Sequence, residues 1–168
     1  MSSIRELTLI PSLIEFGEND SIEFMISFMI DGEVREKLNE DVWSAAYDKH
    51  DNLFRIKYTL VLSHGKPITL LRKASFYWSR DPKRYPLPPS KKIWVMIVRD
   101  DQPIIPKDTE EARRLLFDVQ YSIVLDASSF HNGENEVYVD VKASWGRHTF
   151  IEKGEISARS TTIKIRKV

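Results

Sequence analysis

The sequence predicts an antiparallel β-sandwich, and three observations carry that prediction. The dominant hydrophobic period is two. Ile22, Phe24, Ile26, Phe28 and Ile30 alternate with Glu23, Met25, Ser27 and Met29, and the same alternation recurs over 54–62, 68–78, 117–125 and 137–145. Turn chemistry punctuates the chain at Asp31-Gly32, Ser63-His64-Gly65-Lys66-Pro67 and His131-Asn132-Gly133. No repeat of fixed length and no long linker interrupts the pattern. Residues 1–168 therefore read as a single domain of eight or nine strands with one or two short helices, and a chain of 168 residues is long enough to bury a core.

The elements follow in order. Ile4–Ile10 and Leu13–Phe16 read as short strands separated at Pro11, a residue suited to an edge or a bend. The strand 22–30 comes next. Residues 34–49 fit two patterns, a helix face through Leu38, Val42 and Trp43 or a polar connection and then a strand; the strand neighbours favour the second. Phe54–Leu62 and Ile68–Trp78 form a hairpin about a Gly-containing loop. Ile93–Val98 is apolar on both faces, as a central strand would be. Asp108 or Thr109 can cap a helix running to Leu116, with Glu110 and Glu111 in the first turn where the helix dipole favours acids. Phe117–Leu125 and Val137–Trp145 are strands, and Gly146 and Gly154 bracket a hairpin tip. In Glu155–Arg166 the apolar phase moves from Ile156 and Ala158 to Ile163 and Ile165, which implies a bulge or a change of face.

The closing third resembles the last strands of an immunoglobulin-like sandwich over about 50 residues. A strand ends at Leu125, a Gly-containing corner follows, Tyr138 stands early in the next strand, and a hairpin closes the pattern. The cysteine pair of that family is absent. The resemblance implies an immunoglobulin-like or jelly-roll arrangement of strands and implies no function.

Composition excludes several chemistries. With no cysteine there is no disulfide, thiolate nucleophile, zinc finger or iron–sulfur cluster. The N-terminus lacks the basic and apolar regions of a secretory signal, and no apolar run reaches membrane-spanning length; the expectation is a cytoplasmic protein. The sequon Asn19-Asp20-Ser21 then reads as chance. Scarce Gln beside abundant Lys, Arg and Glu leans towards a thermophile. Gly-x-Ser-x-Gly, phosphate-loop and dinucleotide-binding motifs are all missing, so the chain reads as non-enzymatic, with no cofactor and no metal.

The formal net charge is zero, yet eight Lys or Arg and one acid fall between Arg72 and Arg99. Within this segment, 76–92 gathers four prolines, five cations and the aromatics Phe76, Tyr77, Trp78 and Tyr85. Tyr77, Arg80, Lys83, Arg84, Tyr85, Pro86, Pro89, Lys91 and Lys92 are the candidate binding residues. Pro86-Leu87-Pro88-Pro89 favours polyproline II, and Pro86-x-x-Pro89-x-Lys91 matches a proline-rich docking string. The expected function is a binding or adaptor module working through protein contacts, by the loop 80–92 or by a sheet edge. One alternative is single-stranded nucleic acid on 72–99, with bases on aromatic faces and cations along phosphates. The other is a hydrolase or carbohydrate-binding domain whose site forms only in three dimensions; Trp43, Trp78, Trp94 and Trp145 would suit sugar stacking, but Trp78, Trp94 and Trp145 fall in strand register, which favours the core for most of them. Asp48, His50 and Asp51 are a polar turn before they are a metal site. His64 and His131 are loop histidines beside turn glycines, and His131 and His148 can meet at one end of the sandwich.

Overall fold

The computed structural model describes residues 2–36, 53–79, 94–99, 102–104, 107, 109–146 and 154–168. It is an all-β sandwich of two packed sheets. Its strands are β1 (Ser3–Pro11), β2 (Glu15–Phe16), β3 (Ser21–Asp31), β4 (Leu53–Leu62), β5 (Ile68–Ser79), β6 (Trp94–Arg99), β7 (Gln102–Ile104), β8 (Asp118–Asp126), β9 (Gly133–Gly146), β10 (Gly154–Arg159) and β11 (Ile163–Lys167). Among the described residues nine strands are longer than three residues, within the eight or nine the periodicity implies. The described residues also hold two helices, α1 (Glu33–Glu36) and α2 (Thr109–Phe117), and a 3-10 turn over Ala127–Ser129. The strands β1, β3 and β8 make the small sheet, in that order. The large sheet runs β2-β11-β9-β4-β5-β6-β7, with β10 also paired to β9.

The period-two pattern works as the sequence implies. Ile22, Phe24, Ile26, Phe28 and Ile30 turn inward from β3 and are all buried. They meet Ile56, Tyr58, Leu60 and Leu62 of β4 and Val137, Val139, Val141 and Ala143 of β9 in one cluster. Each such side chain contributes roughly 1.5–3 kcal/mol by leaving water. Tyr58 stacks on Tyr121 of β8 at 5.1 Å, so an aromatic pair bridges the two sheets. Trp145 takes the core position expected of it.

Two bulges keep apolar residues inside where the sequence phase slips. Between Arg5 and Thr8 β1 carries one residue more than β3, and Glu6 adopts φ 56°. Ile4 and Leu9 thereby both reach the core despite opposite parity. On β9, Ile156 lies opposite Ala143 and Ala158 opposite Val141, whereas Ile163 lies opposite Val137. The extra residue sits around Ser160. Its N–H donates to the Val139 carbonyl and its Oγ accepts from the Val139 N–H, both at 2.9 Å. The phase change in 155–166 is therefore a bulge, and the apolar residues stay on one face.

Other expectations are adjusted. Pro11 parts the two segments as expected, but as the last residue of β1, an edge strand. Strand 13–16 shrinks to Glu15–Phe16, which leaves the small sheet and runs parallel to β11, with Ile14 70% exposed between them. Val34 begins no polar connection but sits in the single turn of α1; the rest of 34–49 lies outside the described residues. The second helix takes in Phe117, which is buried, so β8 starts one residue later than its alternation suggests. At the β9–β10 hairpin, a Cβ on Gly154 would overlap the Trp145 indole, so glycine lets the ring lie across the strand.

Candidate interaction surfaces

Most of the predicted binding residues, Arg80, Lys83, Arg84, Tyr85, Pro86, Pro89, Lys91 and Lys92, lie outside the described residues. Their flanks are defined. Ser79 pairs with Trp94, so the stretch joins two adjacent antiparallel strands. Tyr77 belongs to β5 and lies opposite Met96. Arg72, at the start of the 72–99 basic segment, shares its phase with Ile68 and Leu70. Its guanidinium stands 4.5 Å from the centre of the Tyr121 ring, between the sheets. It is thus directed at β8, not at a surface ligand.

The sheet edges differ in character. On one margin of the small sheet, β1 carries the Glu6 bulge, ends in Pro11 and lies alongside β10. These are the usual devices that prevent an edge from pairing. On the other margin β8 pairs with β3 over an unbroken register from Asp118 to Asp126. Among the described residues no strand pairs with its outer side. The outer face beside it has two central uncharged rows, Thr8–Ser27–Gln120 and Ile10–Met25–Ser122. Thr8 and Ser27 share a 2.6 Å hydroxyl–hydroxyl bond. Ile10 is 58% exposed and Val124, in the next row, 61%. Charges stand at the ends of this face. Arg5 pairs with Asp31, and Arg35 of α1 donates to Asp118 from Nη1 and Nη2. The hydrogen bond to Asp118 is the main reason the Arg35 pKa is raised above its ordinary value.

The outer face of the large sheet is charged. Lys142 pairs with Glu155 at 3.3 Å and Lys164 with Glu134 at 3.7 Å. Arg159 grips Asp140 at 2.7 and 3.1 Å and lies over the Tyr138 ring at 4.4 Å. The bond to Asp140 raises the Arg159 pKa as well. Lys57, Thr59, Asp140, Lys142, Ser157 and Arg159 line a shallow depression of about 420 Å³ there.

His64 and His131 are exposed loop residues, as their turn context implies. His50 and His148 lie outside the described residues, and with them the expected meeting of His131 and His148. His131 meets His64, with ring centres 3.7 Å apart. Sequence separation hides this pair. The β4–β9 register makes it visible, because Leu62 lies opposite Val137 and brings both loops to one end of the sheet. Among the described residues no three His, Asp or Glu converge in metal-binding geometry, and no helix is long and apolar enough to cross a membrane. No protein-family model matches the chain, and no curated protein matches it.

Proposed function

We propose that the chain is a non-enzymatic, cytoplasmic binding module that accepts an extended segment of a protein partner along β8. One observation carries this reading: β8 is a nine-residue strand of regular register with a single strand partner among the described residues. An added strand would gain main-chain hydrogen bonds along that edge, and alternate side chains would give specificity. Gln120, Ser122 and Val124 offer small polar and apolar contacts, which suits a partner segment of similar character. The basic loop 80–92 is the second contact in this proposal, supplying attraction for acidic residues of the same partner.

Capture of partners on the immobilised protein, with cross-linking, tests the reading through two variants. Val124→Lys places a charge on the docking face, and Lys83→Glu with Arg84→Glu reverses the loop. Loss of a captured protein with Val124→Lys supports the edge, and loss with the loop variant alone moves the contact to 80–92. A partner list unchanged in both would overturn the proposal.

A further inference from the structure

We propose that His64 and His131 form a two-histidine site for a divalent transition cation of the Ni²⁺, Cu²⁺ and Zn²⁺ group. The site does not involve the β8 edge. The rings stand 3.7 Å apart between centres and are inclined at 52°. A tetrahedral cation with metal–nitrogen bonds of 2.0–2.1 Å needs its two nitrogens roughly 3.3 Å apart. Small side-chain rotations separate rings already in contact to that distance, and both histidines are exposed enough to make them.

The supporting scaffold is what distinguishes this pair from two surface side chains. His131 Nε2 lies 2.7 Å from the Glu134 carbonyl. A carbonyl only accepts, so Nε2 carries a proton, and in the neutral ring that tautomer leaves the lone pair on Nδ1. Metal-bound histidines characteristically donate their other ring N–H to a carbonyl or carboxylate, which fixes tautomer and ring orientation. The His131 main chain is held in turn: buried Asn135 donates from Nδ2 to the His131 carbonyl at 2.9 Å and to the Gly133 carbonyl at 3.0 Å. The loop of His64 is pinned to the same strand. The Ser63 N–H donates to the Glu136 carbonyl and the Glu136 N–H donates to Ser63 Oγ, each at 2.9 Å. A Cβ on Gly65 would come within 3.4 Å of Leu62 and 3.5 Å of the Ser129 carbonyl, so the loop lies beside the 3-10 turn. Two imidazoles are thus presented together from a rigid sheet end.

The ligand set decides the class of ion. Imidazole suits Ni²⁺, Cu²⁺ and Zn²⁺ and is a poor ligand for Ca²⁺ or Mg²⁺, which take oxygen. With two protein ligands the remaining positions go to water or to an incoming donor. The site is therefore exchangeable, unlike the closed four-ligand sites that hold small domains together. A bound ion would clamp the β4–β5 loop to the connection before β9.

Calorimetric titration of the untagged protein with NiCl₂ tests this, and the absence of cysteine leaves no thiolate to compete. The expected result is one Ni²⁺ per chain, with affinity at least tenfold weaker in His64→Ala and in His131→Ala. His50→Ala and His148→Ala should bind as the parent does. Melting temperature should rise with Ni²⁺ in the parent and not in the two site variants. If an alanine variant misfolds by circular dichroism, His64→Gln and His131→Gln take its place. Absence of saturable binding overturns the proposal, as does parental affinity in the His64 and His131 variants or loss in the His50 or His148 variants.

Discussion

The two sheets share one interior and present opposite exteriors. The large sheet covers its outer face with cross-strand ion pairs, and its central strands β9 and β4 have neighbours on both sides. The small sheet leaves two uncharged rows facing out and ends in β8, whose outer side has no strand partner among the described residues. Exposed ion pairs add little stability, typically 0.2–1 kcal/mol each. Their effect here is to keep the large face hydrated and without extended apolar patches. The difference therefore concerns availability: one face is occupied with itself, while the other has no strand at its β8 margin among the described residues.

That contrast requires both sheets to depend on the same core, which the largest expected effect tests. Phe24 is fully buried on β3 and packs near Phe130 at 6.0 Å between ring centres. Phe24→Ala should lower stability by about 3–5 kcal/mol in urea unfolding. A loss confined to the small sheet, seen as hydrogen exchange accelerating in β8 while β4 and β9 stay protected, would mean that the sheets unfold separately. Next in size is the hairpin margin of the large sheet. Gly154→Ala forces Cβ against the Trp145 indole and should cost about 1–3 kcal/mol, with a change in tryptophan fluorescence. Loss of stability without any spectral change would place the strain elsewhere.

A smaller effect of opposite sign probes the charged face. Lys57 lies directly opposite Lys142 across β4 and β9, while Lys142 pairs with Glu155 on its other side. Like charges directly opposite are unfavourable. Lys57→Glu should therefore raise stability by about 0.2–1 kcal/mol, and the gain should shrink in 1 M salt as screening removes it. A gain that survives high salt would have to come from packing or strand propensity.

The fold was legible because its strongest signal is local. Alternation places Ile22 to Ile30 and Val137 to Trp145 correctly, whichever strands they pair with. Sheet assignment was not legible, since nothing in Glu15-Phe16 reveals that it runs parallel to β11. The bulges at Glu6 and Ser160 were half legible: a phase slip shows in the sequence, but only the register tells a bulge from a change of face. For the surfaces, charge and proline content marked 80–92, whereas an open edge is a property of the sheet and leaves no mark on β8 itself. Arg72 opens the basic segment, but its period-two phase with Ile68 and Leu70 separates it from the candidate binding residues, and Tyr121 receives it. The histidine pair joins residues 64 and 131, which a linear reading cannot connect.

The smallest expected change in stability bears most directly on the open face. Val124 is 61% exposed, so Val124→Lys removes little buried surface and should alter stability by no more than about 0.5 kcal/mol. The same change puts a charge on the outer face next to the side of β8 that has no strand partner among the described residues, directly opposite Glu23 on β3. Attraction across that pair offsets any small loss of strand propensity. Lysine on an edge is also a common natural barrier to strand addition. Intact stability with loss of partner capture would separate folding from binding at one position. If Val124→Lys instead destabilises by 2 kcal/mol or more, the side chain is covered in solution, the β8 edge is already occupied, and the contrast between the two exteriors fails.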